Sequence, residues 1–417
     1  DGATSSEQNP VHLYTSPGSY TVTLTAAGPC GSDTKSEVVP VLVFNRTFGG
    51  AGSDEALSVK ATSDGGYIVA GYKTNCAGNT DALLIKTDAS GDASAGHGWQ
   101  KTLGGAGNDV LCSVLQTRDG GYVAAGYTYV ANELTRCGGN YHGWLVKTDP
   151  NGVVTWALTL DGSGQDSISS VFQTSDGGYI LAGTTQPEGG SPHAWLVKAD
   201  PGGSKVWEKN FTNLGNDEAL CVLQTPDSGY IVACNTTDGT SHDVWLIKTD
   251  IDGAITWDKT MSGAGLSFAS SLQQTLDGGY IVAGSFFSCA TCSSDALLIK
   301  TDANGDTQDG KGWIRTYDAG GSDHTNSVGK TLDGGYILAG STFRDTVDAC
   351  LIKVDADGTM IWDKLMGGDG DDVFCAVEQT PDGGYILAGY TSSYGAGKKD
   401  VWLIKTDANG TAPSTQQ

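Results

Sequence analysis

The chain has 417 residues, a formal net charge of -24 and 61 glycines. Such an excess of acid leaves no basic patch to neutralise phosphates, which excludes nucleic acid as a partner. No apolar run reaches the roughly 18 residues that a membrane-spanning helix needs, and most of the aspartate sits in turn motifs, so the acidity is partly a product of turn chemistry.

Residues 1–43 read differently from the rest. Tyr20, Val22 and Leu24 alternate with Thr21, Thr23 and Thr25, the period-two pattern of a strand. Asp1-Gly2, Asn9-Pro10, His12, Tyr14, Pro17-Gly18 and Ser19-Tyr20-Thr21-Val22 resemble the second half of a PKD domain. That resemblance implies a small immunoglobulin-like β-sandwich of the kind found mostly in extracellular and cell-surface proteins, here without its first strands. Half a sandwich leaves edges and an apolar face exposed, so upstream sequence or another chain is expected to supply the rest. Val41-Leu42-Val43 ends this segment, and Phe44 to Phe48 already reads as the end of a repeat, so a rigid junction without a linker is expected.

From residue 44 to 417 one phrase organises the chain. Thr62 to Gly71 reads TSDGGYIVAG, and close variants place its turn aspartate at Asp64, Asp119, Asp176, Asp227, Asp277, Asp333 and Asp382, about 50 residues apart. Asp-Gly-Gly supplies the φ > 0 positions of a hairpin turn, and Tyr-Ile-Val-Ala starts an apolar strand. Each full repeat carries four strand signals, which is one blade of a β-propeller. The last repeat stops after its third strand at Lys405-Thr406-Asp407, and Phe44 to Phe48 is a spare fourth strand. The expected fold is therefore all-β: a seven-bladed β-propeller of four-stranded antiparallel blades, closed by its N-terminal strand and preceded by the partial PKD-like β-sandwich. The repeats also resemble the DGGY-type propeller repeats of archaeal and bacterial surface proteins. Together with a PKD-like segment, that implies a surface-layer-like protein.

Ten cysteines in such a chain point to an oxidising compartment. Closing the fourth hairpin with Thr225 against Tyr230 sets Cys221 opposite Cys234, where the first repeat has Ser58 and Gly71, and predicts a cross-strand disulfide. Cys76 and Cys137 fall in equivalent loops of neighbouring repeats and are candidates to bridge. Cys289 and Cys292 form a lone CxxC, read as a local disulfide rather than a zinc site. Cys30, Cys112, Cys350 and Cys375 read as buried thiols.

Asp302, Asn304, Asp306 and Asp309 offer oxygen ligands in one enlarged turn, a candidate calcium site whose competing reading is an ordinary Asp/Asn turn. Asp88, Ser90 and Asp92 repeat the pattern in part. The GGxGxD-like loops between blades read as turns capped by Asp54, Asp109, Asp166, Asp217, Asp323 and Asp372, with Ser267 as the exception, because calcium β-rolls need copies stacked every nine residues or so. His142 and His193 replace the aspartate that starts the third strand at Asp81, Asp243, Asp295, Asp348 and Asp400; they either frame a metal or acidic ligand or are surface substitutions. Sequons at Asn45, Asn210, Asn235 and Asn409 are candidate glycosylation sites.

All ten tryptophans sit at two repeat positions and read as packing residues, as do the seven turn tyrosines. Tyr127, Tyr129 and Tyr141 are the aromatic residues that hint at a sugar site. No nucleophile elbow, HExxH helix, phosphate loop or dinucleotide fingerprint occurs in its required setting. The chain reads as a non-enzymatic, secreted or cell-surface structural or adhesive protein of a surface layer, sheath or filament. Its expected partners are other copies of itself or other envelope proteins; the alternatives are an adhesin for surface glycans or a polysaccharide-active enzyme. The contacts are expected in the loops that depart most from the repeat, residues 75–80, 132–142, 288–294 and 393–399.

Overall fold

The computed structural model describes residues 4–6, 18–28, 31–75, 78–131, 139–162, 164–261, 265–289, 293–308 and 310–413. Gly18–Gly28 and Gly31–Val41 pair as a two-stranded antiparallel sheet. Val22 and Leu24 on one face of it and Val38 on the other are exposed.

The other strands form seven four-stranded antiparallel sheets. Blade 1 runs Asp54–Ala61, Tyr67–Thr74, Thr80–Thr87 and Trp99–Leu103. Blades 2 to 6 follow at residues 110–160, 164–211, 216–261, 266–317 and 322–366. Blade 7 takes Asp372–Gln379, Tyr385–Thr391 and Asp400–Thr406 and is completed by Phe44–Phe48, which pairs antiparallel with the third strand. First strands of successive blades touch all the way round, blade 7 against blade 1 included, so the ring is closed. Second and third strands are mostly buried because each blade lies between two others, which is why YIVAG and the ALLI of the third strand are continuous apolar runs.

Two repeated interactions build the ring. Within each blade the third-strand lysine, buried in all but blade 5, pairs with the turn aspartate of the first hairpin: Lys86–Asp64, Lys147–Asp119, Lys198–Asp176, Lys248–Asp227, Lys300–Asp277, Lys353–Asp333 and Lys405–Asp382, at 2.6 to 3.0 Å. The same carboxylate accepts from the preceding threonine, as Asp64 does from the Thr62 hydroxyl at 2.5 Å. Between blades, the outer-strand tryptophan packs on the turn tyrosine of the next blade, as in Trp99–Tyr122 and Trp313–Tyr336, with ring centroids 5.7 and 6.4 Å apart. At the seam Phe44 takes the place of tryptophan against Tyr67, at 5.8 Å.

One expectation fails here. Every first strand carries a β-bulge: Ser58 pairs with Ala70 rather than Gly71, and Cys221 with Ala233, while Cys234 faces Ala219. The extra residue, Leu220 in blade 4, shifts the register by one, so Cys221 and Cys234 are not opposite each other and both are free thiols. Cys221 instead occupies the place of a serine that ties blades together. Ser58, Ser113, Ser170, Ser271 and Ser327 accept a backbone N–H from the next blade at 3.2 to 3.3 Å, and the Cys221 thiol donates to the Leu272 carbonyl at 3.7 Å. Cys112, Cys350 and Cys375 are free thiols too.

The turn in blade 4 reads Asp-Ser-Gly where the other blades have Asp-Gly-Gly, and Ser228 stands at φ 67°, the one non-glycine with positive φ among the described residues. A non-glycine residue there costs about 1–3 kcal/mol, so Ser228→Gly is expected to raise stability by about 1 kcal/mol; a denaturation midpoint that falls or stays put would contradict the strain. The ion pairs set a pH dependence as well. Burial pushes the Asp119 carboxyl up, but the Thr117 hydroxyl, the Lys147 ammonium and the Gly121 N–H outweigh it and hold the group at about 2; Asp176 is held at about 2 in the same way. A folded-state value below the unfolded value of about 3.9 gives stability that is present above about pH 4 and lost as pH falls towards about 2. Thermal melts across that window should show a progressive fall that is shallower in Asp176→Asn; identical slopes would refute the linkage.

Candidate functional site on the inter-blade face

The outer strand of each blade passes to the next through the GGxGxD-like loop, whose aspartate is buried. Asp54, Asp109, Asp166, Asp217, Asp323 and Asp372 each accept the N–H of the residue four positions earlier, at 2.7 to 2.9 Å, so they cap the turn. In blades 2, 3 and 4 the other oxygen accepts a hydroxyl from Thr128, Thr185 or Thr236 on the neighbouring strand. The residue starting the third strand of the preceding blade lies beside this cap. Burial pushes the Asp348 carboxyl up and the charge of Asp372 adds to it; at the seam, burial and the charge of Asp400 push Asp54 up against the N–H groups of Thr74 and Gly50. Among the described residues, two junctions could hold a metal ion: His142, Asp161 and Asp166 between blades 2 and 3, and Asp295, Asp318 and Asp323 between blades 5 and 6.

Blade 2 breaks the repeat. Its middle hairpin strands, Tyr122–Ala131 and Gly139–Thr148, have 10 residues each and are longer than their counterparts in the other blades. The extra length brings Tyr127, Tyr129 and Tyr141 together, with Tyr141 edge-on to Tyr127 at 5.3 Å and to Tyr129 at 5.6 Å. Tyr141 is fixed from both sides: Asn108 donates to its hydroxyl at 3.2 Å, and its N–H donates to Gln165 Oε1 at 3.0 Å. A groove of about 460 Å³ opens beside it, lined by Tyr127, Tyr141, Gln165, Thr184, Gln186 and Glu218. Burial pushes the Tyr127 hydroxyl up to about 12, so it is a neutral donor at any physiological pH. Aromatic rings beside side-chain amides and a carboxylate form an amphipathic wall suited to a polyhydroxylated ligand.

The remaining candidates are placed as follows. Asp302 Oδ1 accepts the N–H groups of Asn304 and Asp306 at 2.8 and 2.9 Å, and Asp306 pairs with Lys259 at 3.1 Å and Lys311 at 3.4 Å; Asp309 lies outside the described residues. Equivalent aspartates at Asp149, Asp250, Asp355 and Asp407 close their turns with the same two N–H bonds. Trp257 packs on Gly305, where an added Cβ would lie 2.7 Å from its ring. These carboxylates are held by lysines and backbone donors, and the turn receives a tryptophan from the preceding blade. Asp88 likewise closes its turn, on the N–H groups of Ser90 and Asp92.

His142 Nδ1 faces Asp161 Oδ1 at 3.3 Å, and His193 is not in its cluster. Cys76, Cys137 and Cys292 lie outside the described residues; Cys289 is disulfide-bonded. Asn210 and Asn409 are exposed. Asn235 bonds both the N–H and the carbonyl of Ala269 across the junction with blade 5, and Asn45 accepts from Trp402 at 2.7 Å. A glycan on Asn235 would break both of its bonds. The loop at residues 393–399 is not free either. Lys399 pairs with Glu55 at 2.8 Å and its carbonyl accepts from Asp54 N–H, so the loop latches blade 7 to blade 1.

Sequence reasoning passed over the rim. Val154, Val206, Ile255, Ile314 and Ile361, on the outer strands of blades 2 to 6, are exposed. Their signal was present in the sequence as β-branched residues flanking the outer-strand tryptophans.

Residues 1–43 match the PKD domain family. No curated protein matches the chain. Among solved structures, a protein of unknown function from Dyadobacter fermentans is 11% identical over 87% of this chain and 98% of its own, with a TM-score of 0.51. The polysaccharide lyase Uly1 is 11% identical over 84% of this chain and 90% of its own, with a TM-score of 0.53. At that identity the likeness is one of fold. No helix among the described residues is long and apolar enough to cross a membrane.

Proposed function

We propose that this chain is a non-enzymatic, extracellular structural or adhesive component of a cell envelope, a rigid disc that works through contacts with other copies of itself or with other envelope proteins. The observation that carries this reading is the rim. Five consecutive blades present an exposed aliphatic residue on an outer strand whose edge has no neighbour within the blade, and such edges invite pairing with another chain. The PKD match at residues 1–43 supports an extracellular setting. Electron microscopy and light scattering of the wild-type chain should reveal laterally associated discs. The double variant Val206→Lys, Ile361→Lys should shift the population to monomers, with an apparent association constant at least about tenfold weaker. Wild-type discs that stay monomeric at high concentration would end this reading.

A second reading, a carbohydrate-binding adhesin, is favoured by the tyrosine groove of blade 2. Glycan-array binding followed by titration of the hits should then fall at least about tenfold in Tyr141→Ala, the loss of one aromatic wall. Equal binding by the two proteins would remove the groove from consideration.

A further inference from the structure

We propose that Asp295, Asp318 and Asp323 bind a hard divalent cation, calcium, at the junction of blades 5 and 6. One oxygen from each lies within 4.8 Å of the others. The site begins with a departure from the repeat. Asp318 stands five residues before the buried cap, a place taken by glycine at Gly49, Gly104 and Gly367. A Cβ added at those glycines would lie 1.8 Å from Asp400 Oδ1, 2.1 Å from Asp109 Oδ2 and 2.4 Å from Asp372 Oδ2. Those glycines lie against the junction carboxylates, and at their place this junction carries a third carboxylate, Asp318, whose Oδ1 accepts the Gly320 N–H at 2.6 Å.

Only one other junction places an acid there, at Asp161 between blades 2 and 3, and the two differ in the residue that starts the adjacent strand. At that junction His142 replaces the strand-starting aspartate and sets Nδ1 3.3 Å from Asp161, while Thr185 donates to Asp166 Oδ1. Between blades 5 and 6 the strand starts with Asp295, and among the described residues no salt bridge reaches any of the three acids. Arg344, between the second and third strands of blade 6, donates to the Ala319 carbonyl and not to a carboxylate.

An independent observation points to the ligand. Asp323 is 1% exposed; its Oδ2 accepts the Ala319 N–H at 2.8 Å, but its Oδ1 has no partner. The Thr342 hydroxyl, opposite it in register and fully buried, has no partner either, whereas the equivalent threonines of blades 2, 3 and 4 bond their aspartates. Asp372 Oδ1 is also unpartnered, but Gly367 denies that junction a third acid. A buried, unmatched carboxylate oxygen is costly. Calcium takes six to eight oxygen ligands at roughly 2.3–2.6 Å, so three carboxylates of graded exposure, completed by water, suit it better than a soft metal.

The test is calorimetric titration of calcium chloride into the chelator-treated full chain. One saturable event is expected, weakened at least about tenfold in Asp318→Asn and unchanged in Asp161→Asn and in Asp306→Asn. Near-UV circular dichroism checks that each variant is folded, and Asp318→Gly, the residue of the sister junctions, serves if the asparagine is not tolerated. Absence of saturable binding in the wild type, or an Asp318 variant that binds as the wild type does, overturns the assignment.

Discussion

The fold depends on a lysine ammonium that each blade pairs with its turn aspartate and that all but blade 5 bury. Lys248, for example, sits under the end of its third strand with Asp227 2.8 Å away and the Thr249 carbonyl at 2.9 Å. An unpaired ammonium at that depth is prohibitively costly, so the third strand is stable only where the turn aspartate of the preceding hairpin reaches it. The two phrases of the repeat, Thr-x-Asp-Gly-Gly-Tyr and Ile-Lys-Thr-Asp, are the two halves of this interaction. Its geometry in turn fixes the tyrosine that follows the turn, and with it the surface on which the previous blade lays its tryptophan. In-blade electrostatics and inter-blade packing are thus coupled through one hairpin.

The ring was legible because its determinants are repeated and local. Turn chemistry gave seven hairpins, and counting strands identified Phe44–Phe48 as the closing one. The lysine was not singled out, because it lies inside an apolar run that reads only as a strand. The bulge escaped for a different reason: its extra residue, Leu57 in blade 1 or Leu220 in blade 4, carries no glycine or proline to mark it. A single inserted residue then reversed the pairing on which the Cys221–Cys234 expectation stood. Asp302 shows the converse limit. The oxygen spacing is visible in the sequence, whereas the pairing of Asp306 with Lys259, from the preceding blade, is made only by the fold.

Surface features divide along the same line. What recurs with the repeat is largely consumed by the ring: the tryptophans and turn tyrosines pack between blades, and each capping aspartate accepts a turn N–H. What departs from it marks places where the ring has chemistry to spare. Tyr127, Tyr129 and Tyr141 were visible as a local cluster, yet their union with Gln165 and Glu218 required neighbouring blades. Asp318 was invisible in that sense, since its meaning lies in the glycines that stand at its place elsewhere.

The seam has a mechanical meaning. The strand that completes blade 7 is also the segment through which the PKD-like sheet joins the disc, for Val41 and Phe44 are separated by two residues. Tension on the N-terminal segment therefore enters the ring at its closure, through Phe44–Phe48 and its antiparallel pairing with Asp400–Thr406. The Lys399–Glu55 latch and the Phe44–Tyr67 contact hold that strand's blade to blade 1. A disc built this way transmits force through its closure, and yielding would begin by opening the circle while six blades keep all four strands.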